Sequence, residues 1–145
     1  MAACACFCGR ELIPFLPRDL IWQERWAGAD RWQLCAMSPS AAKRLADHPL
    51  HCETLLVPED IYRPAWQARQ VVSYGLSGRS SLTLSSMGSR DMLCVQRTLV
   101  DLLGRRVEGQ EVPLPAAWWK FSPAERLLLA GIWMLWGEAP PAHSE

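Results

Sequence analysis

The chain has 145 residues, half of them apolar and 21% charged, which excludes a disordered chain and fits one packed domain of ordinary size. Fifteen basic residues match fifteen acidic ones, so the formal net charge is zero. That balance argues against a general nucleic-acid binder, which needs a basic face to neutralise phosphates.

The predicted elements alternate through the first half. Ala2 to Cys8 is a run of small and apolar residues ending at Gly9, as expected of a buried first strand. Glu11 to Leu16 reads as one helical turn stopped by Pro17. Trp32 to Met37 is a second strand, and Ser38 caps a helix over Pro39 to Asp47 with Pro39 in its favoured first position. Thr54 to Val57 is a third strand closed by Pro58. Arg63 to Arg69 reads as a short helix or turn, and Gln70 to Tyr74 as a fourth strand. Strands alternating with short helices imply an α/β fold with parallel βα units over residues 1–75.

After Gly75 the pattern changes, and antiparallel strands or a hairpin are expected over about residues 81–114. Residues 76 to 81 have turn chemistry, and Ser81 to Ser85 alternates polar and apolar like a half-buried strand. Met92, Val95, Leu99 and Leu102 fit a helical face, with Asp91 as a cap and Gly104 as a stop, whereas Glu108 to Leu114 reads as extended. Ser122, Pro123 and Glu125 mark a helix start for a C-terminal helix over 123–136. The domain is expected over 1–137, with a flexible tail at 138–145. Leu127 to Trp136 is only about ten residues against the roughly 20 of a membrane span, so it reads as a core helix. Met1 to Cys8 lacks the basic start and apolar run of a targeting segment, making the cytoplasm the expected location.

Candidate chemistry concentrates at a few places. Ligands favour the carboxyl ends of strands in open, Rossmann-like sheets, so Gly75, Gly78, Arg79, Ser80 and Ser81 form the candidate ligand site, suited to an anion, with Ser85, Ser86, Ser89 and Arg90 as a second wall. Eight tryptophans are many for this length, and Trp118, Trp119, Trp133 and Trp136 crowd the C-terminal region as a candidate surface for a protein partner or a second copy. Cys4, Cys6 and Cys8 alternate on a strand and would share one face as buried thiols. The alternative is a metal site joining them to His48, His51 and Cys52, although one-residue gaps are not zinc-knuckle spacing. No Gly-x-Ser-x-Gly elbow occurs, His48 and His51 read as surface residues, and Asp101, Glu108 and Glu111 as partners of Arg97, Arg105 or Arg106. No catalytic residue and no cofactor are therefore assigned.

Tyr74-Gly75-Leu76, Leu82-Thr83-Leu84-Ser85-Ser86, Gln96-Arg97, Gly104 and Glu108-Gly109-Gln110-Glu111 together resemble a pattern found in small uncharacterised bacterial proteins. In that pattern the Gln-Arg segment pairs with the Glu-x-Gln-Glu segment, which implies a hairpin from about Leu93 to Val112 in place of the local helical reading. Val71 to Leu76 also resembles a strand in the central domain of the ATP-dependent amino-acid ligases of cell-wall synthesis. Those enzymes carry a phosphate loop with Gly, Lys and Ser or Thr; the only lysines here, Lys43 and Lys120, follow no Gly-rich loop. The expectation is a non-catalytic binding or assembly module, or alternatively a degenerate ligase-like protein binding a small ligand, nucleotide or anion at the Gly75–Ser81 turn.

Overall fold

The computed structural model describes residues 3–24, 31–61, 63–87 and 90–140. The strands in chain order are β1 (Cys4–Phe7), β2 (Ile21–Gln23), β3 (Arg31–Met37), β4 (Leu50–Pro58), β5 (Trp66–Tyr74), β6 (Leu82–Met87), β7 (Arg90–Val95), β8 (Leu99–Val100), β9 (Arg106–Val107) and β10 (Gln110–Pro113). The helices are α1 (Pro39–Arg44) and α2 (Pro123–Trp136), with 3-10 turns at Arg10–Phe15 and Ala116–Lys120. Eight strands form one sheet in the order β2-β1-β3-β4-β5-β6-β7-β10, parallel from β2 to β6 and antiparallel from β6 to β10. The remaining pair, β8 and β9, is a separate antiparallel ribbon.

Strand β1 and the second halves of β3 and β4 are near-continuous buried runs because both of their faces are covered. Phe7, Met37, Leu55 and Trp66 pack with α1 on one face; Leu34, Leu56, Val72 and Leu82 pack under α2 on the other. Trp66 and Val72 are an even number of residues apart and would share a face in an unbroken strand. They lie in opposite cores, so the alternation resets between them. The same reset separates Trp32 from Leu34, and the paired residues skip Gln33, Glu53 and Arg69 in one row across three strands.

Tertiary pairing overrides or supplements the local sequence pattern at three places. Arg63 to Arg69, read as a short helix or turn, has a turn at Pro64 and Ala65 and no helix: β5 begins at Trp66, where pairing with Leu50 of β4 and a hydrogen bond from the Trp66 indole to the Leu45 carbonyl (3.0 Å) hold it extended. The crossover from β4 is thus only residues 59–65, against the dozen or more that a parallel connection usually takes. Strand β2 is too short to show a period, and parallel pairing with β1 makes it a strand. Over Met92 to Leu103 the helical spacing is overridden by pairing: Leu93 faces Val112 and Val95 faces Gln110, the hairpin the resemblance implied, with β8 and β9 continuing it to a turn at Gly104. Residues 141–145 of the expected tail, together with Ser89, lie outside the described residues.

Helix α2 is apolar on nearly every side, with Leu127 to Trp133 and Leu135 buried, a pattern that only a helix enclosed by protein can carry. Its start is a complete capping box: the Glu125 N–H donates to Ser122 Oγ (3.2 Å) and the Ser122 N–H to Glu125 Oε1 (2.9 Å). At its centre Gly131 lies so close to the sheet that a Cβ there would sit 3.0 Å from Leu56 Cδ2 and Leu82 Cδ1. Among the described residues no helix is long and apolar enough to cross a membrane. Gly131→Val should lower stability by about 1–3 kcal/mol through overpacking, read as a lower urea midpoint at unchanged m; a gain in stability would show that helix and sheet can separate without loss.

Candidate functional site

The Gly75–Ser81 turn leaves the carboxyl end of β5, and its polar groups converge on Glu59, at the end of the neighbouring strand. The Ser80 hydroxyl and the Ser77 N–H (3.1 Å) both donate to Glu59 Oε1. Ser80 is fully buried, and a Cβ on Gly75 would collide with the Glu59 carboxyl group, so glycine is what lets the acid lie across the turn. Ser81 and Ser73 exchange backbone-to-hydroxyl bonds (3.0 and 3.3 Å), and the Gln96 amide donates to the Ser77 and Ser80 carbonyls (3.2 and 2.8 Å). Of the predicted residues, Ser80 bonds Glu59 directly and Gly75 lies against it, whereas Ser81 pairs with Ser73; Glu59 supplies an anion from within the chain. Glu59 and Gln96 escaped the sequence reading because both reach the turn from far along the chain, with no motif linking them. Gly78 is open, and the Arg79 N–H donates to Ser77 Oγ (3.2 Å).

The Ser80 hydroxyl, then the Ser77 amide, hold the Glu59 carboxyl below the usual carboxylate range. A depressed folded value means that its contribution to stability is complete above the unfolded value, about 4.3, and is lost as pH falls through the folded one. Ser80→Ala should flatten the acid limb of the stability–pH curve; an unchanged limb would show that this hydroxyl does not favour the ionised form.

A second concavity lies between α2 and the antiparallel end of the sheet. It has a volume of about 360 Å³, with Leu93, Val107, Val112, Trp133 and Met134 among its walls and Arg106 at its mouth. Three elements from distant parts of the chain make it. Strands β7 and β10 supply one side and α2 another. The β8–β9 ribbon closes the end: the Leu102 N–H donates to the Leu135 carbonyl (2.8 Å), and Arg105 Nη2 to the carbonyl of Gly137 (2.9 Å), the left-handed residue that ends α2. Buried Asp101 holds the ribbon turn by accepting from the Leu103 N–H, the Arg105 N–H and Arg105 Nε, each at 2.9 Å. Burial alone would raise its carboxyl, but these bonds and the Arg105 charge outweigh burial and hold it below its ordinary value. Asp101→Ala strands these donors and should cost about 2 kcal/mol or more. Amide exchange at Leu102 should accelerate in step; protection equal to wild type would show that the ribbon stays on α2 without it.

Of the four predicted tryptophans, Trp118 is fully buried and Trp133 is 7% exposed, its indole donating to the Phe15 carbonyl (2.9 Å); Trp136 is partly buried and Trp119 is 78% exposed. They form no single patch. No family model, curated protein or solved structure matches the chain.

Cys4, Cys6 and Cys8 share one face and sit in the core under α2, whereas Cys52 belongs to the core under α1. The sheet thus stands between the thiols and Cys52, and among the described residues no three His, Cys, Asp or Glu side chains are grouped to hold a metal ion. Desolvation pushes the Cys52 thiol up to about 12. A wider, more polar cleft lies where the strand alternation resets, beside Arg31, Gln33, His51 and Gln67, with Glu53 and Arg69 paired at 3.6 Å across it.

Proposed function

We propose that this protein is a non-catalytic binding module whose ligand is a small, largely apolar molecule held in the cavity between α2 and strands β7 and β10. The observation that carries this reading is the cavity itself. At about 360 Å³ it falls in the range of small-molecule sites, with apolar walls and few polar groups at the rim. Its buried carboxylate, Asp101, already accepts three hydrogen bonds, which favours a structural role for it over proton transfer. The Gly75–Ser81 turn, with Glu59 already across it, is the weaker candidate for an external anion. All six cysteines are free thiols, in keeping with a reducing compartment such as the cytoplasm.

The test uses anilinonaphthalene sulfonate, an apolar fluorescent probe, with Met134→Trp to fill the cavity. Saturable binding of one probe per folded chain, lost in Met134→Trp, is the expected result. A probe present at 100 times its dissociation constant should add about 2.7 kcal/mol of stability. Binding that is unsaturable, or unaffected by the substitution, would remove the cavity as the site.

A second reading, self-association, rests on Trp119, which projects into solvent from the Ala116–Lys120 turn. If it operates, light scattering will show a dimer at high concentration that Trp119→Ala returns to a monomer. A wild-type monomer throughout would rule it out.

A further inference from the structure

We propose that Cys6 and Cys8 are a peroxide-sensitive dithiol that closes to an intramolecular disulfide. Cys6 is on β1 and Cys8 is the residue that follows the strand; both side chains enter the core under α2, and their sulfurs lie 3.4 Å apart. The other thiols are placed differently. Cys4 lies against the Gln33 side chain (3.9 Å), and Cys35 and Cys52 belong to the core under α1. Cys94 is on β7, four strands away from β3 and hence further from β1.

Two residues along a strand are separated by about 6.4–6.8 Å, at the upper end of the usual Cα separation of about 4.4–6.8 Å across a disulfide. The bond is therefore within reach but taut, which makes it easily reduced. The sulfurs must approach from 3.4 Å to about 2.05 Å, a movement that side-chain rotation and a small adjustment of the strand end can supply.

Access is by way of Cys8. It is 5% exposed, immediately before the exposed Gly9 and Arg10, while Cys6 is fully buried. Hydrogen peroxide is scarcely larger than water and can reach that strand end. The hydrogen bond to Cys8, and then burial, push the Cys6 thiol well above its usual value, and its deeper position leaves Cys8 as the sulfur nearer the strand end. The Cys8 sulfur, giving up its proton, attacks one peroxide oxygen and breaks the O–O bond; the leaving hydroxide takes up a proton, and the products are a sulfenic acid and water. The Cys6 sulfur then attacks the Cys8 sulfur, losing its proton and expelling the hydroxyl as a second water. Overall, two thiols and one peroxide give one disulfide and two waters, the sulfurs being oxidised and the peroxide reduced.

The experiment treats the folded full-length protein with hydrogen peroxide and measures intact mass, followed by peptide mapping. The expected product has lost two hydrogens, carries a Cys6–Cys8 link and returns to six free thiols with dithiothreitol. In Cys6→Ala, whose folding is checked by circular dichroism, Cys8 should stop at a sulfenic acid that dimedone traps. Three results would overturn the proposal: six intact thiols after peroxide, conversion of Cys8 to a sulfinic acid without a disulfide, or a link mapped to other cysteines. The wild-type mass together with its peptide map decides between these even if the variant does not fold.

Discussion

The structure depends on the burial of one helix. A helix apolar on nearly every side is stable in water only when every side is covered, and α2 is such a helix. The sheet covers one side, at a separation so small that position 131 has room for no side chain without neighbours giving way. The Arg10–Phe15 turn covers another, with Phe15 stacked edge-on to Phe121 at 4.9 Å and its carbonyl taking the Trp133 indole hydrogen. Asp91 on β7 pairs with Arg126 and fixes the first turns of the helix to the antiparallel strands. The ribbon caps the far end.

The cavity follows from the same requirement. Short elements must meet around the helix, and where β10, the ribbon and the last turn of α2 converge they leave a space walled by Val112, Val107 and Trp133. The polar groups nearby are committed to holding those elements together. Asp101 satisfies amides that would otherwise be lost donors in a buried turn, and Arg105 joins that turn to the helix terminus. What remains open at this place is apolar surface, the reason a binding role fits it better than a chemical one.

Across the sheet, the Gly75–Ser81 turn shows the same economy in polar form. Its amide and hydroxyl groups converge as they would on a bound anion, and the Glu59 carboxylate lies where they converge. The contact links the start of the short β4-to-β5 crossover to the turn that follows β5, so it secures an unusually brief parallel connection. Cys4, Cys6 and Cys8, packed in the core beneath α2, combine small apolar volume with a chemistry that packing alone does not use.

Much of the architecture was legible in the sequence, because local rules and tertiary demands agree there. Ser122, Pro123 and Glu125 specify the start of α2 through short-range hydrogen bonds, and Ser38 with Pro39 does the same for α1, its hydroxyl accepting from the Ala41 N–H at 3.2 Å. The apolar runs at Trp32–Met37 and Thr54–Val57 marked parallel strands, and the alternation of Cys4, Cys6 and Cys8 assigned those thiols to one face. Tertiary structure alone decided the rest. By its local spacing Met92 to Leu103 reads as a helix, whereas it forms the paired strands and turn that the resemblance implied, since pairing with β6, β10 and β9 outweighs a weak local period. Which tryptophans turn inward was not readable, because adjacent Trp118 and Trp119 are chemically identical and only packing sends one into the core and the other into solvent. Nor was either site complete in the sequence: Glu59 meets Ser80, and Val112 and Trp133 line one cavity, through folding that joins residues about twenty positions apart in each pair, separations over which sequence spacing carries no geometric signal.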